Sequence, residues 1–268
     1  MHFTVYGASG FVGSNLVVLL RGLGHRVTVP LRGELFGSDK KMDLGHVIWA
    51  VGLTADFRAR PYDTVEGHIA LPSLVLKEGH FASFLYLSST RVYQRSQTTD
   101  ENQELVVSPT NPDDLYNLSK LVGEAICISS GRENVRIARL SNVVGPAEFQ
   151  RETFLGAICR SAIQDGRIRL LSDPRSEKDY IWIDDVAQIL VQIAVHGTSQ
   201  IYNVARGVQT PHQLWIEGLV EETGCTFSLA EHAPLASFPR ISSMRLFSEF
   251  PRTLINPLDQ LPKILGHL

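Results

Sequence analysis

Residues 7–13 read Gly-Ala-Ser-Gly-Phe-Val-Gly and stand between the apolar run Phe3-Thr4-Val5-Tyr6 and a segment in which Leu16, Leu19, Leu20 and Leu23 recur. Apolar residues at i, i+3, i+4 and i+7 line one face of a helix. The glycines therefore sit where a strand hands over to a helix N-terminus. Gly7 permits a tight turn, Gly10 lets backbone N–H groups approach an anion, and Gly13 lets helix and strand pack closely, with the positive end of the helix dipole at the same point. Three glycines in a turn are often only a turn. The strand before and the helix after make this one read as a pyrophosphate site for a dinucleotide.

With 268 residues, 44% of them hydrophobic, the chain buries a substantial core, read here as one domain with a smaller appended lobe. A net charge of −3 with 20% charged residues gives no basic footprint for nucleic acid and no acidic tail. The expected partners are small molecules or a second copy of the chain. The first strand begins at His2 or Phe3, which leaves no room for a secretory leader, and no apolar run approaches the ~20 residues that span a bilayer. A soluble, cytoplasmic protein with no membrane partner is expected. Cys127, Cys159 and Cys225 are odd in number and set among apolar residues, so they read as buried inert thiols. The histidines show no ligand spacing, and no metal is expected.

Residues 26–32 read as the second strand. From Gly33 to Gly45 the sequence is short and polar, and His46-Val47-Ile48-Trp49-Ala50-Val51 is again a strand. A parallel crossover with its helix needs at least ~10–12 residues, so a whole strand-helix unit is expected to be missing. Pro30, which cannot donate to a ladder, supports placing the second strand at the sheet edge. A helix at 61–79, a strand at 84–88, a polar stretch at 95–112, a helix at 113–130 and a strand at 135–140 follow. Beyond Gly145-Pro146 come a helix (154–163), a short strand (168–171), a charged loop (173–179), a strand (180–183), a helix (184–195), a strand (201–204) and a helix (211–222). Alternation of this kind predicts the α/β class, a doubly wound parallel Rossmann sheet. The expected division is a dinucleotide-binding domain of residues 1–146 plus 181–210 and a small C-terminal substrate-binding lobe of 147–180 plus 211–268.

Tyr116 and Lys120 are four residues apart in the 113–130 helix and so share a face. A free phenol has a pKa of about 10, and bringing it to ~7 takes roughly 4 kcal/mol of preference for the phenolate, which an adjacent ammonium and an oxidised nicotinamide supply. Tyr and Lys at this spacing also occur on many helices by chance. Here residues 87–93, Leu-Ser-Ser-Thr-Arg-Val-Tyr, put hydroxyls at the carboxyl end of a central strand, where ligands bind in open α/β sheets.

At this point the chain resembles an extended, shortened short-chain dehydrogenase/reductase of the NAD(P)-dependent nucleotide-sugar epimerase/dehydratase family. The matching pieces are Gly7–Gly13, Ser88–Tyr93, Tyr116 with Lys120, Arg139–Pro146, Lys178–Ala187 and Tyr202-Asn203-Val204. The resemblance implies that Ser89, Tyr116 and Lys120 are catalytic, with Tyr116 exchanging the proton and Lys120 holding the ribose and lowering the tyrosine pKa. It implies a cofactor held by Gly7, Ser9, Gly10, Phe11, Val12, Arg32, Ala50, Val51, Gly52, Leu87, Tyr116, Lys120, Leu140, Asn142 and Val143, and a substrate held by Thr90, Arg91 and Asn142. Relatives dimerise through the helices equivalent to 61–79 and 113–130, so a homodimer is expected, and Leu118, Leu121, Val122 and Ala125 give the second helix an apolar stripe.

Departures from the family narrow the reaction. Nucleotide-sugar 4,6-dehydratases follow the catalytic Thr with Asp-Glu, and here those positions are Thr90 and Arg91; dehydration is disfavoured. NAD-preferring relatives place an acid after the second strand, where this chain has Leu31 and Arg32. Arg32 reads as a clamp for the 2′-phosphate of NADP, or as an ordinary edge-strand charge. His68 stands where relatives often carry asparagine. Arg58 and Arg60 read as solvated surface charges or as a grip on a substrate anion. The expected function is NADP-dependent (NAD possible) 4-keto reduction of a nucleotide sugar. The alternatives are a 4-epimerase with retained NAD and, in another class, a non-catalytic NAD(P)-binding regulator.

Overall fold

The computed structural model describes residues 1–36, 43–53, 56–236 and 238–266. The chain opens with β1 (His2–Tyr6), α1 (Phe11–Gly22), β2 (Arg26–Thr28) and β3 (His46–Trp49). A helical stretch follows in three segments: α2 (Pro61–Val65), a π-helical turn (Glu66–Ala70) and α3 (Leu71–Glu78). Next come β4 (Ser83–Ser89), α4 (Leu115–Ser129), β5 (Val135–Leu140), β6 (Asn142–Val144), α5 (Phe154–Arg160) and β7 (Arg167–Leu170). The remainder is β8 (Glu177–Trp182), α6 (Ile183–His196), β9 (Ile201–Val204), β10 (Gln209–Pro211), α7 (His212–Thr223), β11 (Thr226–Leu229), α8 (Met244–Glu249) and α9 (Leu261–Ile264).

Six strands form one sheet in the order β2-β1-β3-β4-β5-β9, and every pairing in it is parallel. This is the doubly wound Rossmann architecture. Alternate residues of each strand feed opposite faces. One face packs Phe3, Val5, Ile48, Leu85 and Leu87 against α1 and α6, and the other packs Val47, Trp49, Phe84 and Tyr86 against Val75, Leu76 and Cys127. All three cysteines are free and buried.

β2 pairs only with β1 among the described residues and so forms the sheet edge, as the short connection predicts. It is shorter than expected, ending at Thr28 instead of Arg32, because Pro30 has no N–H with which to extend the ladder. Part of the expected charged loop at 173–179 is strand instead. β8 begins at Glu177 because Glu177, Lys178 and Asp179 pair antiparallel with Pro211, Thr210 and Gln209, a partner strand whose Pro211 is expected from sequence to start a helix.

A second core gathers Leu155, Ile158, Ile168, Tyr180, Trp182, Trp215 and Leu219. The C-terminal tail is divided between the two cores: Leu246, Phe247, Phe250 and Leu254 pack beside α1 and α6, whereas Leu261, Ile264 and Leu265 join the second cluster.

The π-helical turn has a specific cause. Pro72 has no N–H to give the carbonyl four residues back, and its ring crowds that carbonyl. The carbonyl belongs to His68, and the Tyr86 hydroxyl donates to it instead at 2.9 Å.

Beneath α4 lies a buried ion pair. Arg139 of β5 donates from Nε to Glu124 Oε1 at 3.0 Å and from one terminal nitrogen to Glu124 Oε2 at 2.6 Å. Its other terminal nitrogen reaches the Tyr93 hydroxyl at 2.6 Å, which in turn donates to Asn203 Oδ1 at 2.9 Å. Ser88 also donates to Glu124. Removing one member strands a buried charge, at a cost of about 3–5 kcal/mol, whereas replacing both by apolar groups of similar volume is far less costly. Arg139→Met is therefore expected to lower unfolding stability in urea by that amount, and the double variant Arg139→Met, Glu124→Leu to recover most of it; equal losses would mean that the pair is not what the site rests on.

Candidate active site

At Gly7 the backbone turns with φ +79°, and a Cβ there would lie 2.6 Å from the Ala50 carbonyl atoms. A Cβ on Gly13 would lie 2.2 Å from the Gly7 carbonyl oxygen. Both glycines are thus required by close backbone approach. Gly10 is the N-cap of α1 and offers no side-chain cap, and Ser9 and Gly10 are exposed. The first N–H groups of α1 point out of an open mouth, which is the arrangement an anionic phosphate fits.

Because all six strands run parallel, the carboxyl ends of β3, β4 and β5 lie on the same edge as this turn. Ser89 closes β4, and Tyr116 and Lys120 of α4 stand beside it. Tyr116 is almost wholly buried. Burial raises its pKa above the ordinary phenol value, while the Ser89 hydrogen bond and the charge of Arg91 pull it back. Lys120 Nζ donates to the Leu87 carbonyl at 2.9 Å and lies 5.9 Å from the centre of the Tyr116 ring. Burial brings the Lys120 pKa down to about 7, against the raising effect of Glu124.

His68, from the π-helical turn, lies between these groups. Its Nδ1 sits 2.8 Å from the Ser119 hydroxyl, which itself donates to the Tyr116 carbonyl at 2.9 Å. Its Nε2 accepts from the Leu53 N–H at 3.3 Å. The ring therefore carries its proton on Nδ1. Burial, followed by the nearby Lys120 charge, lowers its pKa to about 2, so it stays neutral. Gly52 makes room for the group, since a Cβ there would come 2.9 Å from His68 Nε2 and 3.2 Å from Lys120 Nζ.

The remaining expected residues are distributed around this centre. Ala50, Val51, Leu140 and Val143 are half-buried near the strand ends, and Asn142 is exposed, its amide donating to the Asp179 carbonyl at 2.8 Å. Phe11 and Val12 open α1, and the Arg151 guanidinium lies 3.7 Å over the Phe11 ring. Thr90 is buried, with its hydroxyl turned to the Leu140 carbonyl at 3.3 Å. Arg32 is exposed and has no ion pair among the described residues. Arg58 is paired with Asp113 at 2.7 Å, and Arg60 is bound to Asp63 and Asp56 on the surface.

Sequence reasoning missed Glu124, Ser119 and Arg151. A signal existed for the first: Arg139 is a charge inside a strand that continues into the core, and Glu124 stands one helical turn beyond Lys120.

A model of the NAD dependent epimerase/dehydratase family matches residues 3–205. The chain belongs to that family. Among curated relatives it is similar to the dTDP-glucose 4,6-dehydratase of Streptomyces griseus, 23% identical over 86% of this chain and 81% of that one. Among solved structures it is similar to RMD from Pseudomonas aeruginosa complexed with NADPH (24% identical, TM-score 0.78, covering 99% of this chain and 98% of that one). It is also similar to the UDP-glucuronic acid 4-epimerase from Bacillus cereus in complex with UDP-glucuronic acid and NAD (17%, TM-score 0.79, 100% and 98%). At these identities the structures attest the shared fold. No helix among the described residues is long and apolar enough to cross a membrane.

The lowered Lys120 pKa has a consequence for stability. An unfolded lysine titrates near 10.4, so between about 7 and about 10 the unfolded chain holds a proton that the folded protein does not, and stability rises with pH in that window by at most ~1.4 kcal/mol per pH unit. Urea denaturation of cofactor-free protein is expected to show Lys120→Met gaining most over wild type at or below pH 7 and losing that advantage as pH approaches 10. A pH-independent difference would mean that Lys120 is not desolvated as described.

Proposed function

We propose that the chain is an NAD(P)-dependent oxidoreductase of nucleotide sugars that reduces a 4-keto group, with Tyr116 as the acid. The observation that carries the reading is the joining of Ser89, Tyr116 and Lys120 at the edge of the sheet that also presents the Gly7–Gly13 turn. Binding alone would not need all three. Solved relatives hold NADPH in one case and UDP-glucuronic acid with NAD in another, which supports a nicotinamide cofactor and a sugar nucleotide here.

The residues present fit a dinucleotide. The uncapped α1 N-terminus takes the pyrophosphate, Lys120 the ribose, and Ala50 to Gly52 and Leu140 to Val143 flank it. When bound, the nicotinamide supplies the hydride. The Tyr116 phenol, kept protonated by burial, gives its proton to the oxygen that the hydride converts from carbonyl to hydroxyl. Ser89 holds that same oxygen. Lys120 and Arg91 then sit beside the phenolate that remains, and their positive charge stabilises it. A phenol poised as a donor suits reduction, and Arg32 after β2, which has no ion pair among the described residues, suits the 2′-phosphate of NADP.

The reading extends to a homodimer through the face of α2, α3 and α4, where Tyr62, Val65, Leu74, Val122 and Ile128 stay exposed on the monomer.

Turnover on a panel of 4-keto and 4-hydroxy sugar nucleotides, with cofactor affinity by calorimetry, tests the mechanism. Tyr116→Phe is expected to keep cofactor binding and lose roughly 10²–10⁴ in turnover. Lys120→Ala is expected to lose both, and Ser89→Ala turnover alone. Full activity of Tyr116→Phe would end the mechanism. In the same titrations Arg32→Ala is expected to weaken NADPH and spare NADH, and equal affinities in wild type would remove the NADP assignment. Tightly retained NAD in purified protein would turn the reading to 4-epimerisation.

A further inference from the structure

The cleft beside Tyr116 holds more positive charge than its neighbours balance. Arg91 places its guanidinium carbon 5.4 Å from the centre of the Tyr116 ring and 5.2 Å from that of Phe57. Its backbone N–H donates to Ser89 Oγ at 3.2 Å, which ties its place to that of the Ser89 hydroxyl. Among the described residues its side chain reaches one polar acceptor, the Asp113 carbonyl at 3.4 Å. Asp113 and Asp114 are the carboxylates whose field reaches Arg91, and each is taken by another arginine, Asp113 by Arg58 and Asp114 by Arg95.

Lys178 of β8 is half-buried, and burial, followed by the charge of Arg91, lowers its pKa. Among the described residues its ammonium has neither a hydrogen bond nor an ion pair, and it lies 5.6 Å over the Phe154 ring. His212 is the other neighbour of Phe154: its ring is 4.1 Å from that of Phe154, its Nδ1 is 3.0 Å from the Ser172 hydroxyl, and its Nε2 is buried with no hydrogen-bond partner among the described residues. Two half-buried cations in one another's field, with no counter-ion, are costly to keep. A bound anion removes that cost.

Resting on the sugar-nucleotide reading above, we infer that the sugar itself carries a carboxylate near the carbon that Tyr116 serves, and that Arg91 binds it as a planar fork with Lys178 facing the same anion. The substrate class is then a nucleoside diphosphate uronic acid or another acidic sugar nucleotide. The diphosphate is the other source of such an anion. The carboxylate is favoured because Arg91 is fixed to Ser89 and Tyr116, the two groups that meet the reacting oxygen, and so its ligand belongs to the sugar ring. A guanidinium and a carboxylate match in two parallel hydrogen bonds.

Calorimetric titration of the NAD- or NADP-loaded protein with UDP-glucuronate, UDP-glucose and UDP, and with the dTDP counterparts, tests this. Charged hydrogen bonds of this kind are worth roughly 10–100-fold, so the glucuronate form is expected to bind that much more tightly than the glucose form. Arg91→Gln is expected to abolish the preference, so that the two sugar forms bind the variant equally, and Arg91→Lys, which keeps the charge without the fork, to retain part of it. Equal affinity of wild type for both sugars, or a preference that survives Arg91→Gln, overturns the inference and leaves the sugar-nucleotide reading intact. Equal weakening of all three ligands in Arg91→Gln also overturns it, by assigning the anion to the diphosphate. Binding of none of them fails the sugar-nucleotide reading, and the inference with it.

Discussion

The site depends on how closely α4 lies on the sheet. A Cβ on Gly123 would come 2.3 Å from the Tyr86 hydroxyl and 2.7 Å from the His68 carbonyl, so no larger residue fits without lifting the helix. With glycine there, α4 settles onto β4 and onto the π-helical turn at once. Lys120 and Tyr116 lie about one and two turns toward the N-terminus on the same helix, and Glu124 follows next in line. Their positions follow from this one contact. The Tyr86 hydroxyl that Gly123 admits is also the donor that satisfies the carbonyl freed by Pro72, so the unusual turn and the close helix share a single hydrogen bond.

Close approach excludes water, and the loss of water sets the chemistry. It raises the Tyr116 pKa and lowers those of Lys120 and His68, because the charged form of each loses hydration. The Glu124–Arg139 pair lies immediately below, and its two charges are matched to one another by several hydrogen bonds. The scaffold is thus charge-balanced while the site above it is not. Arg91 and Lys178 have no ion pair among the described residues, and half-buried cations of this kind give a bound phosphate or carboxylate a low dielectric and a positive potential.

The opposite edge of the sheet is reduced. β2 carries three residues and has one neighbour among those described. In open α/β sheets the ligand crosses the point where strand order reverses, here between β1 and β3. The Gly7–Gly13 turn and the Ser89, Tyr116 and Lys120 side chains stand on either side of that point, and the shortening falls on the end of the sheet furthest from β4.

Much of this was legible in the sequence because it is local. The Gly7–Gly13 turn follows from strand and helix periods on either side of three glycines; the sheet edge follows from Pro30 and a short connection; Tyr116 and Lys120 share a face by helical spacing alone. The extent of β8 was not legible, because residues 177–179 become strand only through pairing with 209–211, thirty residues away, and the tail divides between two cores for the same reason. Nor did the chain order reveal that His68 joins Ser119 to the Leu53 backbone, that Glu124 is the counter-charge of Arg139, or that Arg58 is neutralised by Asp113 while Arg91 is left without an ion pair among the described residues. Spacing along one element determines which residues share a face. Which charges are paired, and which are desolvated and left free to act, is decided only when distant segments meet, since both the partner and the loss of water come from elsewhere in the chain.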